Sequence, residues 1–254
     1  MTEVPGSTFN SFVSSCLHRH SVYMVKIRPS GMRGGANHGW LDTRHTFSFA
    51  DYHDPAHMSF RSLRVLNEDR ILPAAGFPTH SHRDMEIISY VLKGALEHRD
   101  SIGTGSIIYP GDVQRMSAGT GVSHSEYNHS KVEEAHFFQI WIVPDTKGLA
   151  PGYEQKTFGD ERRNQLRLVA SRSAEAGSVK VSQDIRFWAT LLDAGVELIH
   201  SLGSYQYGWL QLASGRIQVN GEIMNPGDGA AVSEETQLSI KALEPAEFLV
   251  FDLS

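Results

Sequence analysis

The chain has few cysteines, no basic cluster and no long apolar stretch. Its single cysteine, Cys16, excludes an intramolecular disulfide and fits a reducing compartment, so we expect a cytoplasmic protein. No apolar run approaches the roughly 20 residues that are needed to span a bilayer. The net charge is −6, and Lys and Arg are not concentrated in any segment. Neither a membrane nor a nucleic acid is therefore expected as a partner.

The N-terminal segment also lacks the marks of a targeting sequence. Residues 1–23 are rich in serine and carry Glu3 and Pro5, without the basic start and continuous apolar stretch of a signal peptide. A transit peptide would be rich in arginine, and Arg19 is the only one here. We predict that residues 1–23 form a disordered extension and that the folded chain begins at Met24.

Strand patterns dominate the rest of the chain. Short apolar runs such as Ile87–Leu92 and Phe137–Val143 are separated by Gly, Pro, Asp and Asn. Helical periodicity is scarce, and Glu154–Arg163 is only a weak candidate for a helix. The chain is therefore expected to be all-β.

The order strand, turn, strand and Pro-Gly-Asp occurs twice. It runs from Gly94 to Pro110-Gly111-Asp112 and again from Gly215 to Pro226-Gly227-Asp228. A repeat of this size predicts two tandem small β-barrels. We place the first barrel at residues 24–147, a linker at residues 148–160 and the second barrel at residues 161–254.

Two short motifs in the first half predict a metal site. His80-Ser81-His82 and His124-Ser125-Glu126 each place two possible ligands at i and i+2, which share one face of a strand. Two such strands packed across a small barrel would direct three imidazoles and one carboxylate to one point. This donor set suits a divalent transition metal and leaves positions open for a substrate.

The histidines are distributed unevenly between the two halves. Twelve of the 13 histidines lie at or before His136, and only His200 follows. The offsets that separate His80 and His82 from the turn glycine of the first repeat lead to Ser201 and Gly203 in the second. We therefore predict that the second barrel is free of metal.

Other residues near the motifs leave alternatives open. Glu86 has the same strand parity as the two histidines before it, but we favour Glu126 as the ligand because it is paired directly with His124. Glu86 is then given a supporting or structural role. Most isolated histidines are hydrogen-bonding or solvent-facing residues, and His98 is the best candidate for an additional function among them. Four aromatic residues would suit either a substrate pocket or the core, and core packing is the default: Trp40, Phe47, Phe49 and Trp141.

From Met24 onward the sequence resembles the pirin family of bicupins, in particular the bacterial pirin-like quercetin dioxygenases. The resemblance rests on five segments: Ala36–Asp42, His45–Phe49, Ser62–Asp69, Phe77–His82 and Met116–Glu126. It implies two cupin (jelly-roll-like) β-barrels, the first of which binds one metal ion. The ligands implied by the family motifs are His80, His82, His124 and Glu126.

The resemblance also implies an activity, the cleavage of a flavonol such as quercetin by O₂ to a depside and carbon monoxide. Glu126 would then also act as the base that deprotonates the 3-hydroxyl group. Iron(II) is the first expectation for the metal, and nickel, cobalt, copper, manganese and zinc accept the same ligands. The expected partners are a small aromatic substrate and O₂, and the double barrel is compatible with a monomer.

Two other functions are compatible with these ligands, because cupin folds have many roles. One is a regulatory protein whose metal oxidation state controls its binding to a transcription factor, as proposed for eukaryotic pirin. It would need an exposed basic or apolar patch, whereas a dioxygenase needs a substrate-sized cavity above the metal. The other is a zinc-dependent sugar isomerase, which would require lysine and polar groups around the metal.

Overall fold

The computed structural model describes residues 1–2 and 24–254. The predicted disordered extension, residues 1–23, lies outside the described residues except for its first two positions. Among the described residues, no helix has the length and apolar character required to cross a bilayer.

The regular secondary structure of the described residues is almost entirely β-strand, as predicted. Twelve strands precede residue 160: β1 Met24–Arg28, β2 Gly34–Asn37, β3 Leu41–His45, β4 Leu63–Ile71, β5 Gly76–His82, β6 Glu86–Lys93, β7 Leu96–Asp100, β8 Gly105–Ile108, β9 Asp112–Ser117, β10 Val122–Asn128, β11 Ala135–Ile142 and β12 Gly152–Thr157. Ten strands follow: β13 Arg167–Ser171, β14 Val179–Lys180, β15 Ile185–Leu192, β16 Glu197–Ser201, β17 Tyr207–Ser214, β18 Ile217–Val219, β19 Glu222–Met224, β20 Gly229–Ser233, β21 Gln237–Ala242 and β22 Ala246–Leu253. The part of the chain that the structure describes also contains three short 3-10 helices, at Ser30–Met32, Gly159–Arg162 and Glu175–Gly177.

The strands form two units with the same arrangement. In the first unit, a seven-stranded sheet has the order β12-β9-β6-β11-β4-β3-β2, and a four-stranded sheet has the order β5-β10-β7-β8. The second unit repeats this pattern with β1-β20-β17-β22-β15-β13-β14 and β16-β21-β18-β19. The tandem repeat that the turn motifs predict is therefore present, and each unit has the two-sheet architecture of a cupin.

Each unit contains one edge strand that lies outside its predicted boundaries in the sequence. Strand β1 pairs with β20 in the sheet of the second unit, although its sequence precedes the first unit. Strand β12 lies within the predicted linker and pairs with β9 in the first unit. The boundaries at residues 147 and 161 remain a prediction. In the structure, the second unit also includes β1 and the first unit also includes β12.

The predicted helix at Glu154–Arg163 is wrong. Its first part belongs to β12, and only the single 3-10 turn at Gly159–Arg162 follows. The segment has too few apolar residues to show the alternating pattern by which a strand is predicted from sequence. It is held by polar contacts instead, since Nε2 of Gln155 donates to the backbone oxygen of Ile107 at 3.0 Å and to Oδ2 of Asp112 at 2.9 Å.

Apolar side chains fill three layers. Within the first unit, Leu41 and Phe137 of the large sheet pack with Leu96 of the small sheet. The inside of the second unit is filled by aliphatic residues such as Leu210 and Ile240. Between the units, the outer faces of the two large sheets form the largest cluster: Phe47, Leu66, Ile88, Phe138, Ile140, Phe187, Trp209, Leu249 and Phe251 are among its members. The first large sheet is thus covered on both faces, and its inner face supports the site.

Candidate metal centre

The two sequence motifs lie on adjacent strands of the small sheet. His80 and His82 are on β5, and His124 and Glu126 are on β10. These strands are hydrogen-bonded antiparallel neighbours rather than strands packed across the barrel, and His80 is directly opposite His124. A bulge shifts the register between His124 and Glu126. Such irregularities commonly redirect side chains beside functional sites.

The structure brings the three predicted histidines together. One ring nitrogen of each lies within 4.8 Å of the others. Nε2 of His82 is 3.0 Å from Nε2 of His124. Two nitrogen ligands about 2.1 Å from one ion and at right angles to each other are about 3.0 Å apart, so this spacing fits two adjacent ligands of a divalent metal.

Hydrogen bonding and burial prepare these rings to act as neutral ligands. Nδ1 of His80 lies 2.8 Å from the backbone oxygen of Pro78, to which only an N–H can donate, so Nε2 keeps its lone pair. Burial, followed by repulsion from neighbouring histidines, lowers the pKa of His82 to about 4 and that of His124 to about 2. Unprotonated nitrogens are what a metal requires.

Glu126 is buried beside this cluster. Its side chain is grouped with His98 and His124, with one possible ligand atom of each within 4.8 Å of the others. Oε1 accepts a hydrogen bond from Ser89 at 3.1 Å, and Oε2 accepts one from Gln139 at 2.6 Å. Burial raises the pKa of Glu126 to about 7, although both hydrogen bonds oppose the shift. A carboxylate with these properties can bind a cation or exchange a proton near neutral pH.

His98 connects His124 to a buried carboxylate. Nε2 of His98 lies 3.0 Å from Oδ2 of Asp100, and Nδ1 of His98 lies 3.4 Å from Nδ1 of His124. Both side chains of the His98–Asp100 pair are fully buried. Because the carboxylate accepts the Nε2–H of His98, Nδ1 of His98 accepts the Nδ1–H of His124. Nε2 of His124 is then left with the lone pair that faces His82.

Glu86 does not join the cluster. Its Oε2 accepts a hydrogen bond from Ser117 at 2.9 Å and lies 3.9 Å from Nε of Arg115, near the boundary with the second unit. The shared strand parity fails as a guide because the turn between β5 and β6 contains Asp84 in a left-handed conformation, with φ of 49°. Parity is defined only along one continuous strand. The placement agrees with a structural role for Glu86.

A cavity of about 370 Å³ opens beside the cluster. His80, His82 and Glu126 line it together with apolar groups that include Phe77 and Trp141, and no lysine is among its lining residues. A second cavity of about 310 Å³ adjoins it and is lined by Trp40 among others. Of the four aromatic residues expected in the core, Phe47 belongs to a core cluster, and Trp40 and Trp141 pack partly buried against core clusters while also lining a cavity. Phe49 lines both cavities.

Sequence reasoning did not identify the residues that support the ligands. Asp100 follows His98 at i+2 on β7, the same spacing as in the two ligand motifs, and this signal could have been used. Ser89 and Gln139 come from strands that read as apolar, and they become functional candidates only when the register places them side by side beneath Glu126.

Two cupin units, of which the first gathers histidines and a carboxylate around a cavity, define a metal-binding bicupin. The pirin family model matches residues 26–142, and the model of the quercetinase C-terminal cupin domain matches residues 168–253. Quercetin 2,3-dioxygenase of Escherichia coli strain K12 is 46% identical over 232 residues, which cover 91% of this chain and 99% of that protein.

Solved structures agree with this assignment. YhhW from Escherichia coli has a TM-score of 0.88 at 44% identity, with 91% of this chain and 98% of that chain covered. A structure of the bacterial pirin YhhW in complex with nickel(II) has a TM-score of 0.86 at 44% identity and covers 91% and 99% of the two chains. The chain therefore belongs to the pirin family.

Proposed function

We propose that this protein is a metal-dependent dioxygenase that cleaves a flavonol such as quercetin with O₂ to a depside and carbon monoxide. The observation that carries the proposal is the apolar cavity of about 370 Å³, one wall of which is formed by His80, His82 and Glu126. A cavity of this size suits a small aromatic molecule. The relative from Escherichia coli, which bears the name quercetin 2,3-dioxygenase, supports the same activity.

We propose that His80, His82, His124 and Glu126 hold one divalent metal ion. Three neutral imidazoles and a carboxylate match the donors that such ions accept, and the ion would supply a Lewis acid for the flavonol oxygens and a site for O₂ chemistry. We retain iron(II) as the first candidate. Nickel has the support of the YhhW complex, and cobalt, copper, manganese and zinc are to be compared with it.

Glu126 is proposed to be the base that removes the proton of the flavonol 3-hydroxyl group. It lines the cavity, so its carboxylate can reach a hydroxyl group of a flavonol that binds there. Ser89 and Gln139 each donate to one of its oxygens and hold the carboxylate in place. Phe49, Phe77 and Trp141 supply apolar surface that would limit the water around a bound flavonol.

The alternatives from the sequence have less support. The cavity lining contains no lysine, which counts against a sugar isomerase. A redox-dependent regulatory protein would not need a substrate-sized cavity beside its metal. We further propose a cytoplasmic location, on the basis of the single cysteine, and a monomer, because the two large sheets already cover each other within one chain.

The experiment is anaerobic purification with elemental analysis, followed by addition of quercetin and O₂. We expect the flavonol absorbance to fall as carbon monoxide is released. Glu126→Gln should lower turnover by roughly 100-fold or more, because general base catalysis contributes about 10²–10⁴-fold. Glu86→Gln is the matched control, since that carboxylate is also buried but does not line the cavity. Unchanged turnover by Glu126→Gln with its metal retained would exclude the proposed base.

A further inference from the structure

A row of five polar side chains crosses the inner face of the large sheet of the first unit. Its members are paired by strand register from β3 to β9, and we call them the polar row: His45, Asn67, Gln139, Ser89 and Gln114. All five are at least nine-tenths buried. Several residues two positions away on the same face are apolar, such as Val91 on β6 and Phe137 on β11, so the row interrupts a hydrophobic surface at its centre.

The centre of the polar row is satisfied by Glu126, whereas both ends keep unpaired atoms, and the end at β3 and β4 lines a cavity. Ser89 and Gln139 both donate to the Glu126 carboxylate. In contrast, Oδ1 of Asn67 and Nδ1 of His45 have no hydrogen-bond partner among the described residues, although Asn67 is 3% exposed and His45 is 5% exposed. Buried polar atoms are rarely left unpaired, and each exception requires an explanation.

The explanation we find is that both residues line a cavity. Asn67 lines both the 370 Å³ cavity beside the histidines and the adjoining 310 Å³ cavity, and so does its neighbour Asp69. His45 lines the adjoining cavity only. Phe49 and Phe77 also line both, so the two cavities adjoin each other; we call the one with the metal ligands the metal-binding end and the one with His45 the polar end.

The chemistry of the polar end specifies the group it would bind. Oδ1 of Asn67 is an acceptor, so its partner must be a donor. One oxygen of Asp69 already accepts from the hydroxyl of Thr43, and its carboxyl group is fully buried in the same region. The flat side chain of Trp40 stands beside these groups in the adjoining cavity. A phenolic hydroxyl on a planar ring meets all of these conditions.

We propose that Asn67, assisted by His45 and Asp69, is a specificity-determining site that binds a hydroxyl group on an outer ring of the aromatic substrate, at the end away from the metal ligands. This inference rests on the proposed function and narrows its substrate class to polyhydroxylated planar aromatics. A substrate with the same metal-binding oxygens and an unsubstituted outer ring would enter the cavity but leave the polar end unpaired.

The test compares quercetin, which carries hydroxyl groups on both outer rings, with 3-hydroxyflavone, which carries none. The metal-loaded protein is assayed for anaerobic binding by flavonol absorbance and for kcat/KM with O₂. We expect Asn67→Leu, which is close in volume, to lower the preference for quercetin over 3-hydroxyflavone by about fivefold to tenfold, as for one lost hydrogen bond. Gln114→Leu is the matched control, because Gln114 has an unpaired buried oxygen in the same row but lines neither cavity.

The outcomes separate this inference from the proposed function. If the wild type consumes both flavonols and Asn67→Leu keeps the wild-type preference, the recognition site is refuted and the dioxygenase proposal stands. If the wild type binds quercetin more tightly than 3-hydroxyflavone but consumes neither, the dioxygenase proposal fails, and loss of that binding preference in Asn67→Leu supports the site. Equal binding of the two flavonols by the wild type refutes the site. Asn67→Ala replaces the leucine variant if the latter does not fold.

Discussion

Replacing Asp100 by asparagine is expected to weaken metal binding although no ligand is removed. Oδ1 of Asp100 accepts hydrogen bonds from the backbone N–H groups of Ile102 at 3.1 Å and Thr104 at 2.9 Å. An asparagine must keep its oxygen on that side, which places its NH₂ group against Nε2 of His98. His98 then has to accept at Nε2 and donate from Nδ1, and His124 becomes protonated on Nε2, the atom that faces His82.

The size of the effect follows from the length of this chain of contacts. Changes to a residue that orients a metal ligand cost about 10- to 100-fold in metal affinity. The full tautomer change reaches His124 through one intervening ring, with contacts of 3.0 and 3.4 Å, so the upper part of this range is expected. A 100-fold loss corresponds to about 2.7 kcal/mol of binding free energy.

The assay is competition for nickel(II) or cobalt(II) against a chelating indicator, accompanied by ¹⁵N NMR of the histidine rings. Asp252→Asn is the matched control, because Asp252 accepts from His200 at 2.7 Å in the second unit, away from the ligands. We expect the control to keep wild-type affinity. Wild-type affinity in folded Asp100→Asn, or an unchanged His124 tautomer, would refute the relay from Asp100 to the metal.

Two further predictions concern the scaffold. Gly76→Ala should lower both the metal affinity and the stability, the latter by about 1–3 kcal/mol, because the added Cβ would lie 2.3 Å from a backbone oxygen of β10. Gly105→Ala is the control, since a Cβ there meets nothing within 4 Å, and it should leave both properties unchanged. Metal titration and thermal unfolding measure the two effects. Burial alone would raise the pKa of Glu68, but the hydrogen bond from His136 and the ion pair with Arg33 lower it to about 2. The ionised Glu68 therefore contributes about 3 kcal/mol to the free energy of unfolding above pH 4.5, and this contribution is lost as the pH falls toward 2. Glu68→Gln should make the free energy of unfolding, measured by urea titration, less dependent on pH in this range.

The sequence was sufficient for the parts of the fold that depend on local patterns. Alternating apolar residues and turn tripeptides predicted the repeat, and spacing at i and i+2 predicted that His80 and His82 share a face. Strand exchange was not predictable in this way, since the pairing of β1 with β20 joins residues about 200 positions apart and depends on the completed sheet. The polar strand β12 gave no hydrophobic signal at all.

The site shows the same division between local and long-range information. Each ligand motif is local, so its residues were found. The roles of His98 and of the polar row can be recognised only from the register of the strands. Asn67 and Gln139, for example, are 72 positions apart in the chain yet directly opposite each other across β4 and β11. The parity argument for Glu86 failed at a turn, where the alternation of side chains is interrupted. Register information of this kind resides in the pairing of strands and not in any single segment.

The exchange of β1 and β12 has a consequence for the integrity of the molecule. A fragment cut at residue 147 would leave the second half without the strand that covers β20, and the first half without the strand that covers β9. Each fragment would expose an open sheet edge and a large apolar face, a combination that favours aggregation. We therefore expect that neither half folds stably alone, and β1 can pair only after Gly229–Ser233 of β20 have been synthesised.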